Sequence, residues 1–197
     1  MKISFSLLFS SLFFPLMNLI FFFSCNPYSE AVTDSKAGLN GGFEQSKNGL
    51  PLNWLIYSPE TISDSEFEVN LDSKIKAEGN QSLRFSVKKA PEKWENRCPG
   101  FTNEFFESGK FKGPAKYSIS FVAMNLGSRF NFAAGAVDSH DGKMTILVDE
   151  QETFSSWKKY HVEVAVPANQ WLRVELKVCK PGELWVDDFQ ISKLELE

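Results

Sequence analysis

Three carboxylates near the two ends of the chain have types and positions suited to binding a metal ion. Glu44 follows the Asn-Gly-Gly-Phe run at residues 40–43, and Asp187 and Asp188 stand side by side near the other end. A β-sandwich that pairs its first and last strands could bring these oxygens together, and clusters of hard oxygen ligands bind Ca²⁺. We therefore predict a calcium site with Glu44 and Asp187 as ligands and Asp188 in reserve.

Asp187 is predicted to point inward. Strand alternation from Trp185 through Asp187 and Phe189 to Ile191 places these side chains on one face, which the Phe and Ile identify as the core. A carboxylate there is costly to bury unless it meets a cation or hydrogen-bond donors. The alternative to a metal is a hydrogen bond from a neighbouring loop amide or an Arg.

A second set of side chains is suited to binding sugars, whose C–H patches stack on flat rings and whose hydroxyls pair with planar polar groups. Trp94 and Arg97 lie in a charged loop without a strand pattern, and Trp157 follows two serines. Asn131 lies on a central strand, and Trp171 shares the polar face of its strand with Arg173. Each of these tryptophans could instead pack against the fold, and exposed polar residues are usually only solvated.

The elements that must position these residues alternate with a period of two. Leu172, Val174, Leu176 and Val178 interleave with charged residues, and four other segments repeat the pattern, with Gly-containing turns between them. We find no helical stripe of ten or more residues. Eight to ten short strands of this kind predict an all-β antiparallel sandwich of the jelly-roll class.

The two ends of this pattern resemble those of jelly-roll carbohydrate-binding modules of the family 4/9 type, within the galactose-binding-like superfamily. The resemblance is carried by Asn-Gly-Gly-Phe-Glu at 40–44 with Pro-Leu-Asn-Trp at 51–54, and by Leu-Trp-Val-Asp-Asp-Phe-Gln-Ile at 184–191. It spans about residues 38 to 194, but the middle matches only in rhythm. It implies a calcium that fastens the terminal strands without a catalytic role, and a glycan as ligand.

The first 24 residues are predicted to be a signal peptide, with Lys2 before a long apolar run. The sequence Phe-Phe-Ser-Cys ending at Cys25 resembles a lipobox, which predicts a lipoprotein exported and anchored to the bacterial cell envelope, in the outer membrane. An ordinary signal peptide or an uncleaved anchor is the alternative. Residues 25–37 read as a tether, and residues 38–197 as the sandwich domain.

Cysteine usage fits an exported chain. With Cys25 lipidated, Cys98 and Cys179 remain, and they are either a disulfide pair or two buried thiols.

Charge and motifs exclude several function classes. The net charge is −4, without a basic stripe, which argues against nucleic acid as a partner and against attachment to lipid by charge. There is no H-E-x-x-H, G-x-S-x-G or Walker A motif. Glu183 and Asp187 resemble the first two acids of the strand in sandwich glucanases, but the third acid is missing.

We therefore predict a monomeric, non-catalytic lipoprotein that captures a poly- or oligosaccharide. One alternative is a structural or adhesive surface protein that binds protein through the same fold. A polysaccharide hydrolase or lyase is the other.

Overall fold

The computed structural model describes residues 39–91, 97–104, 111–139 and 142–194. Within these ranges the chain forms twelve strands and no helix. The strands are β1 Ser46–Lys47, β2 Leu50–Pro51, β3 Leu55–Ile56, β4 Glu66–Asp72, β5 Ser82–Lys89, β6 Gly100–Glu104, β7 Ala115–Leu126, β8 Phe130–Val137, β9 Thr145–Glu150, β10 Phe154–Val166, β11 Trp171–Val178 and β12 Gly182–Leu194.

Two five-stranded antiparallel sheets pack face to face. Sheet I has the order β10-β7-β12-β5-β4, sheet II has the order β3-β6-β11-β8-β9, and β1 and β2 form a separate hairpin. The predicted all-β jelly-roll sandwich is confirmed. The strand number exceeds the predicted eight to ten because β1, β2 and β3 are two residues each and too short to show alternation.

The core lies between the inner faces of the sheets, where alternation places the apolar residues. Leu172, Val174, Leu176 and Val178 of β11 are fully buried, as their spacing predicts. Aromatic rings dominate the centre, and Phe189 of β12 stacks on Phe121 of β7 with 5.5 Å between ring centroids. Burial of such rings supplies much of the hydrophobic stabilisation of the fold.

A bulge in β12 reverses the predicted faces of the last strand. The register shifts between Asp187 and Gln190, and Asp188 has a positive φ of 47°. Leu184 and Val186 therefore belong to the core before the bulge, and Phe189 belongs to it after the bulge. The prediction that Trp185 and Asp187 share the core face with Phe189 was wrong, because an inserted residue changes the side to which alternate residues point.

Trp185 instead packs on the outer side of sheet I. Its indole N–H donates to Asp72 Oδ2 at 2.9 Å, and the Arg84 guanidinium lies 5.2 Å from its ring centroid. The side chain is only 3% exposed. This tryptophan therefore has a structural role and offers no open ring face.

The opening segment docks against the bulge of the last strand. Gly41 O accepts a hydrogen bond from Phe189 N at 3.0 Å, and a Cβ on Gly41 would lie 1.7 Å from Phe189 O. Trp54, which is buried, donates from its indole to Asn40 O at 3.0 Å and packs edge-on against Phe189. The first and last strands do not pair as predicted, because β1 pairs with β2 and β12 lies between β7 and β5. The two ends of the domain meet instead through this backbone contact of the segment before β1.

No helix among the described residues is long and apolar enough to span a lipid bilayer. The predicted signal peptide, tether and Cys25 lie outside the described residues.

Candidate functional site

Glu44 and Asp187 both bind backbone amides of the loop between β4 and β5. Glu44 Oε1 accepts from Asn80 N at 2.7 Å and from Gln81 N at 3.2 Å. Asp187 Oδ2 accepts from Ala77 N at 2.8 Å and from Glu78 N at 3.1 Å. The two predicted metal ligands therefore clamp neighbouring parts of one loop, and the hydrogen bond from a loop amide was the alternative predicted for Asp187.

Four carboxylates surround this loop: Glu44, Glu78, Asp187 and Asp188. Burial, followed by repulsion from Asp188, Asp187 and Glu44, raises the pKa of Glu78. Burial also raises the pKa of Asp187, and the amide hydrogen bonds only partly oppose this. At Glu44, burial is outweighed by the hydrogen bonds from Asn80 and Gln81, so the pKa is lowered. The electrostatics of this end of the sandwich favour a cation.

The donor chemistry fits calcium, but the described residues contain no preformed metal site. Carboxylate oxygens are the correct ligand type. However, no group of three or more His, Cys, Asp or Glu side chains within the described ranges is arranged to hold an ion. Glu44 and Asp187 already direct their oxygens at amides, and Asp188 accepts from the Gln190 side chain.

The outer face of sheet II carries a row of ring and polar side chains. On β11, Trp171, Arg173, Glu175 and Lys177 alternate with the four buried aliphatic residues and so point away from the core. On the neighbouring β8, Asn131 pairs with Lys177 and Ala133 pairs with Glu175. We call this surface the β11 face.

A tight polar network orders the centre of the β11 face. Tyr57, which follows β3, donates a short hydrogen bond from its hydroxyl to Glu175 Oε1, and Lys177 Nζ lies 3.3 Å from Glu175 Oε2. Burial, followed by the adjacent Glu175 carboxylate, raises the pKa of Tyr57 far above its ordinary value. Glu175 is 8% exposed, so its two oxygens are held in fixed positions. Ordered polar groups of this kind can recognise hydroxyls with little entropic cost.

A cavity of about 130 Å³ opens beside this network. It is lined by polar and apolar side chains in similar measure: Asn131, Ala133, Met144, Ile146, Glu175 and Lys177. Its volume is too small to enclose an oligosaccharide, so an extended ligand would lie across the face with one group in the cavity. At one end of the face, Lys112 Nζ lies 5.3 Å from the ring centroid of half-buried Trp171.

The predicted sugar-binding residues do not all lie on this face. Asn131 lines the cavity, and Arg97 is exposed just before β6. Trp157 lies on β10, an edge strand of sheet I, and is therefore not part of the β11 face. Trp94 lies outside the described residues.

Glu175 and Tyr57 were not named as binding residues from the sequence, and only Glu175 had a signal there. Glu175 is the middle of an Arg-x-Glu-x-Lys row on a strand whose other face is wholly apolar. A row of charges on a strand central to its sheet marks a polar face that is open to a ligand or to solvent. Tyr57 had no such signal, because it lies in an irregular segment after a two-residue strand.

The two acids that resembled a catalytic pair are already bound elsewhere. Glu183 accepts hydrogen bonds from Arg84 Nε at 2.8 Å and from Ser86 Oγ at 2.6 Å on the outer side of sheet I. Asp187 is fully buried against the loop amides. A glycosidase requires two carboxylates that face each other across an open cleft, and this pair does not meet that requirement.

Cys98 and Cys179 are both buried and lie next to each other as thiols. Asn131 Nδ2 contacts Cys179 Sγ at 3.6 Å, so the sulfur atoms lie beside the cavity.

No family model matches the sequence, and no curated protein is significantly similar to it. Solved structures share its fold. The second xylan-binding CBM22 domain of Xyn10C from Paenibacillus barcinonensis is 19% identical, with a TM-score of 0.56 over 78% of this chain and 98% of that chain. The first such domain of the same protein is 16% identical, with a TM-score of 0.56 over 80% and 94%.

An arabinose-bound GH51 α-L-arabinofuranosidase is 15% identical, with a TM-score of 0.56 over 80% of this chain and 26% of that chain. These likenesses confirm the fold of jelly-roll carbohydrate-binding modules. The narrower resemblance to the family 4/9 type stays a prediction.

Proposed function

We propose that this chain binds a poly- or oligosaccharide across the β11 face and does not cleave it. The observation that carries the proposal is the row of Trp171, Arg173, Glu175 and Lys177 on one outer strand face, with Tyr57 ordered against its centre. The fold is shared with domains whose names describe xylan binding, which supports a β-linked plant polysaccharide as the first ligand class to test.

The chemistry of the face matches what a sugar presents. Glu175 and Asn131 supply acceptors, Lys177 and Arg173 supply donors, and the Trp171 ring supplies a flat apolar contact. The carboxylate of Glu175 is held by Tyr57 and Lys177, so it needs little reorganisation to accept a hydroxyl hydrogen bond. Affinities in the micromolar to millimolar range, about −8 to −4 kcal/mol, are the expected outcome.

Binding without cleavage is proposed because the candidate catalytic carboxylates already have structural partners. Glu183 and Asp187 are bound to their own structural partners, and Glu175 is paired with a tyrosine and a lysine. A polysaccharide hydrolase with its active site on this face would need a second carboxylate opposite Glu175. Release of reducing ends from a polysaccharide panel tests that reading directly.

The proposal includes the setting in which capture would occur. Lipid on Cys25, with residues 25–37 as a tether, would hold the domain at the outer surface of a bacterial envelope. Calcium at the loop clamped by Glu44 and Asp187 would neutralise the surrounding carboxylates and fasten the end of the sandwich. Burial, together with repulsion from the neighbouring carboxylates, raises the pKa of Glu78, and this repulsion supports the calcium part of the proposal.

Binding measured with matched tryptophan variants tests the site. Isothermal titration or affinity electrophoresis with soluble xylan, mixed-linkage glucan and galactomannan identifies a ligand for the wild-type chain. Trp171→Ala then lowers affinity for that ligand about 10-fold or more, because a stacking ring and its ordering of Lys112 are both lost. Arg173→Ala, on the same face, has an effect of the same sign.

Trp157→Ala on β10 is the control, since it removes a partly buried tryptophan from the other sheet. Its affinity should equal that of the wild type. Loss of binding in Trp157→Ala with retention in Trp171→Ala would move the site away from the β11 face. Absence of binding to every glycan in the panel would contradict the proposed function and would favour the protein-binding alternative.

A further inference from the structure

The register of β6 and β11 places two cysteines directly opposite each other. The ladder pairs Gly100 with Lys177, and two steps further in the same register Cys98 faces Cys179. Gly100 and Lys177 belong to the β11 face, so by alternation the two cysteine side chains point to that same side. Both are buried, with exposures of 0% and 4%.

The type of strand pair favours a bond between them. Val178 N donates to Pro99 O at 2.7 Å, which continues the ladder and makes residues 99 and 178 a hydrogen-bonded pair. Cys98 and Cys179 are therefore the adjacent, non-hydrogen-bonded pair. Opposed residues of that type have Cα atoms roughly 4.5 Å apart. This separation falls within the range of about 4.4 to 6.8 Å that disulfides require.

The surroundings hold the sulfur atoms together. Cys179 N donates to Arg129 O at 2.7 Å, which fixes the end of β11 against β8, and Asn131 contacts the Cys179 sulfur. A hydrogen bond from the Cys179 thiol lowers the pKa of Cys98, and the same contact together with burial raises the pKa of Cys179. One sulfur is thus the more readily ionised, as thiol–disulfide exchange requires.

We propose that Cys98 and Cys179 are oxidised to a cross-strand disulfide while the exported chain folds. The Cys98 thiolate attacks a disulfide of an exported oxidant of the thiol–disulfide exchange class, and one sulfur of that oxidant leaves as a thiolate. The Cys179 sulfur then attacks the mixed disulfide at Cys98, and the second oxidant sulfur leaves. The pair gives up two electrons and two protons, and the oxidant is reduced to its dithiol.

Burial sets the order of events. Neither sulfur is accessible in the folded domain, so the exchange takes place before the β11 face closes over the pair. The same burial makes the finished bond resistant to reductants under native conditions. The disulfide forms whether or not the face binds a glycan.

The bond would close a loop of about 80 residues, and this predicts a Tm higher by on the order of 10 °C than in the reduced chain. The test uses the full chain produced with its leader in a host that exports it. The protein is denatured without reductant, alkylated, digested and mapped by mass spectrometry. We expect one linked peptide that contains Cys98 and Cys179, with Cys25 in neither partner.

Oxidative refolding and thermal unfolding provide two further readouts. Reduced, unfolded chain refolded in a glutathione redox buffer should recover the same pair, and wild type that has been unfolded and refolded in reductant should have a lower Tm than the oxidised protein. The double variant Cys98→Ser with Cys179→Ser should melt near the reduced wild type, with no response to reductant. Alkylation of both cysteines as free thiols in the exported protein would overturn the proposal. A bond from either cysteine to Cys25, or stable glutathione adducts on them, would also overturn it. All of these outcomes are measured on the wild-type chain, so none depends on the folding of a variant.

Discussion

Removal of the Asp187 carboxylate is expected to loosen the end of the sandwich. This fully buried side chain accepts hydrogen bonds from the amides of Ala77 at 2.8 Å, Glu78 at 3.1 Å and Asp188 at 2.8 Å. It joins β12 to the loop between β4 and β5. In Asp187→Ala, all three donors lose their acceptor at once.

The magnitude follows from these three contacts. A hydrogen bond to a charged group contributes about 1.5 to 3 kcal/mol. Ala77 and Glu78 lie in an exposed loop where water can replace part of the loss, and the variant no longer buries a charge whose pKa burial raises. The net loss in the free energy of unfolding is therefore about 3 kcal/mol, which lowers the Tm of a domain of this size by roughly 6 to 12 °C.

Urea and thermal unfolding, followed by circular dichroism in the presence of chelator, measure this change without a contribution from bound metal. Asp188→Asn is the control, because it alters the adjacent side chain, keeps its shape and can retain the positive φ of 47°. We expect the control to stay within about 0.5 kcal/mol of the wild type. A loss below 1 kcal/mol in Asp187→Ala, or an equal loss in Asp188→Asn, would refute this account of the clamp.

Three further predictions concern other parts of the sandwich. Burial raises the pKa of Glu150, but hydrogen bonds from Lys158, the Glu152 amide and Tyr160 outweigh it and lower the pKa from 4.5 to about 2. Because the pKa in the folded state is the lower one, the stabilisation is present above pH 4.5 and is lost as pH falls toward 2. Glu150→Gln should therefore flatten that part of a curve of unfolding free energy against pH. Gly41→Ala should destabilise the fold by about 3 kcal/mol or prevent folding in an expression and melting assay, because its Cβ would lie 1.7 Å from a carbonyl oxygen. The control Gly49→Ala meets no atom within 4 Å and should cost about 1 kcal/mol because of its positive φ. Calcium at about 100 times its Kd should raise the Tm by roughly 5 to 10 °C above that of the protein in chelator, and Glu44→Gln should make this increase smaller. An unchanged Tm would contradict a bound ion.

The strands with strict alternation could be predicted from the sequence because alternate residues of a strand point to opposite faces of the sheet. The four aliphatic residues of β11 were placed in the core for this reason, and all four are fully buried. The docking of the opening motif near the last strand also followed from sequence, through the resemblance of both ends to a known kind of module.

The bulge in β12 could not be predicted from parity. Nothing in the Asp187-Asp188 pair shows that the second residue adopts a left-handed conformation, since an Asp is equally compatible with an extended strand. That single residue decides which of Trp185 and Val186 is in the core. This local backbone conformation, which composition does not show, therefore changed the environment of Trp185 and Asp187 from the predicted one.

The candidate binding face was only partly predictable. Trp171 and Arg173 were named from the sequence because strand alternation put them on one polar face, and Asn131 was named because it lies on a central strand. Tyr57 reaches Glu175 from a position 118 residues away, and that contact depends on how β3 joins the edge of sheet II. Long-range contacts made from irregular segments have no periodic signature.

The strand order of sheet I bears on when this protein can fold. β12 lies between β7 and β5, so the last of the described strands fills the middle of its sheet rather than an edge. A nascent chain that has not yet reached Gly182 has no bridge between β7 and β5 and cannot close its hydrophobic interior. The core between the two sheets can therefore be completed only after β12 has been synthesised.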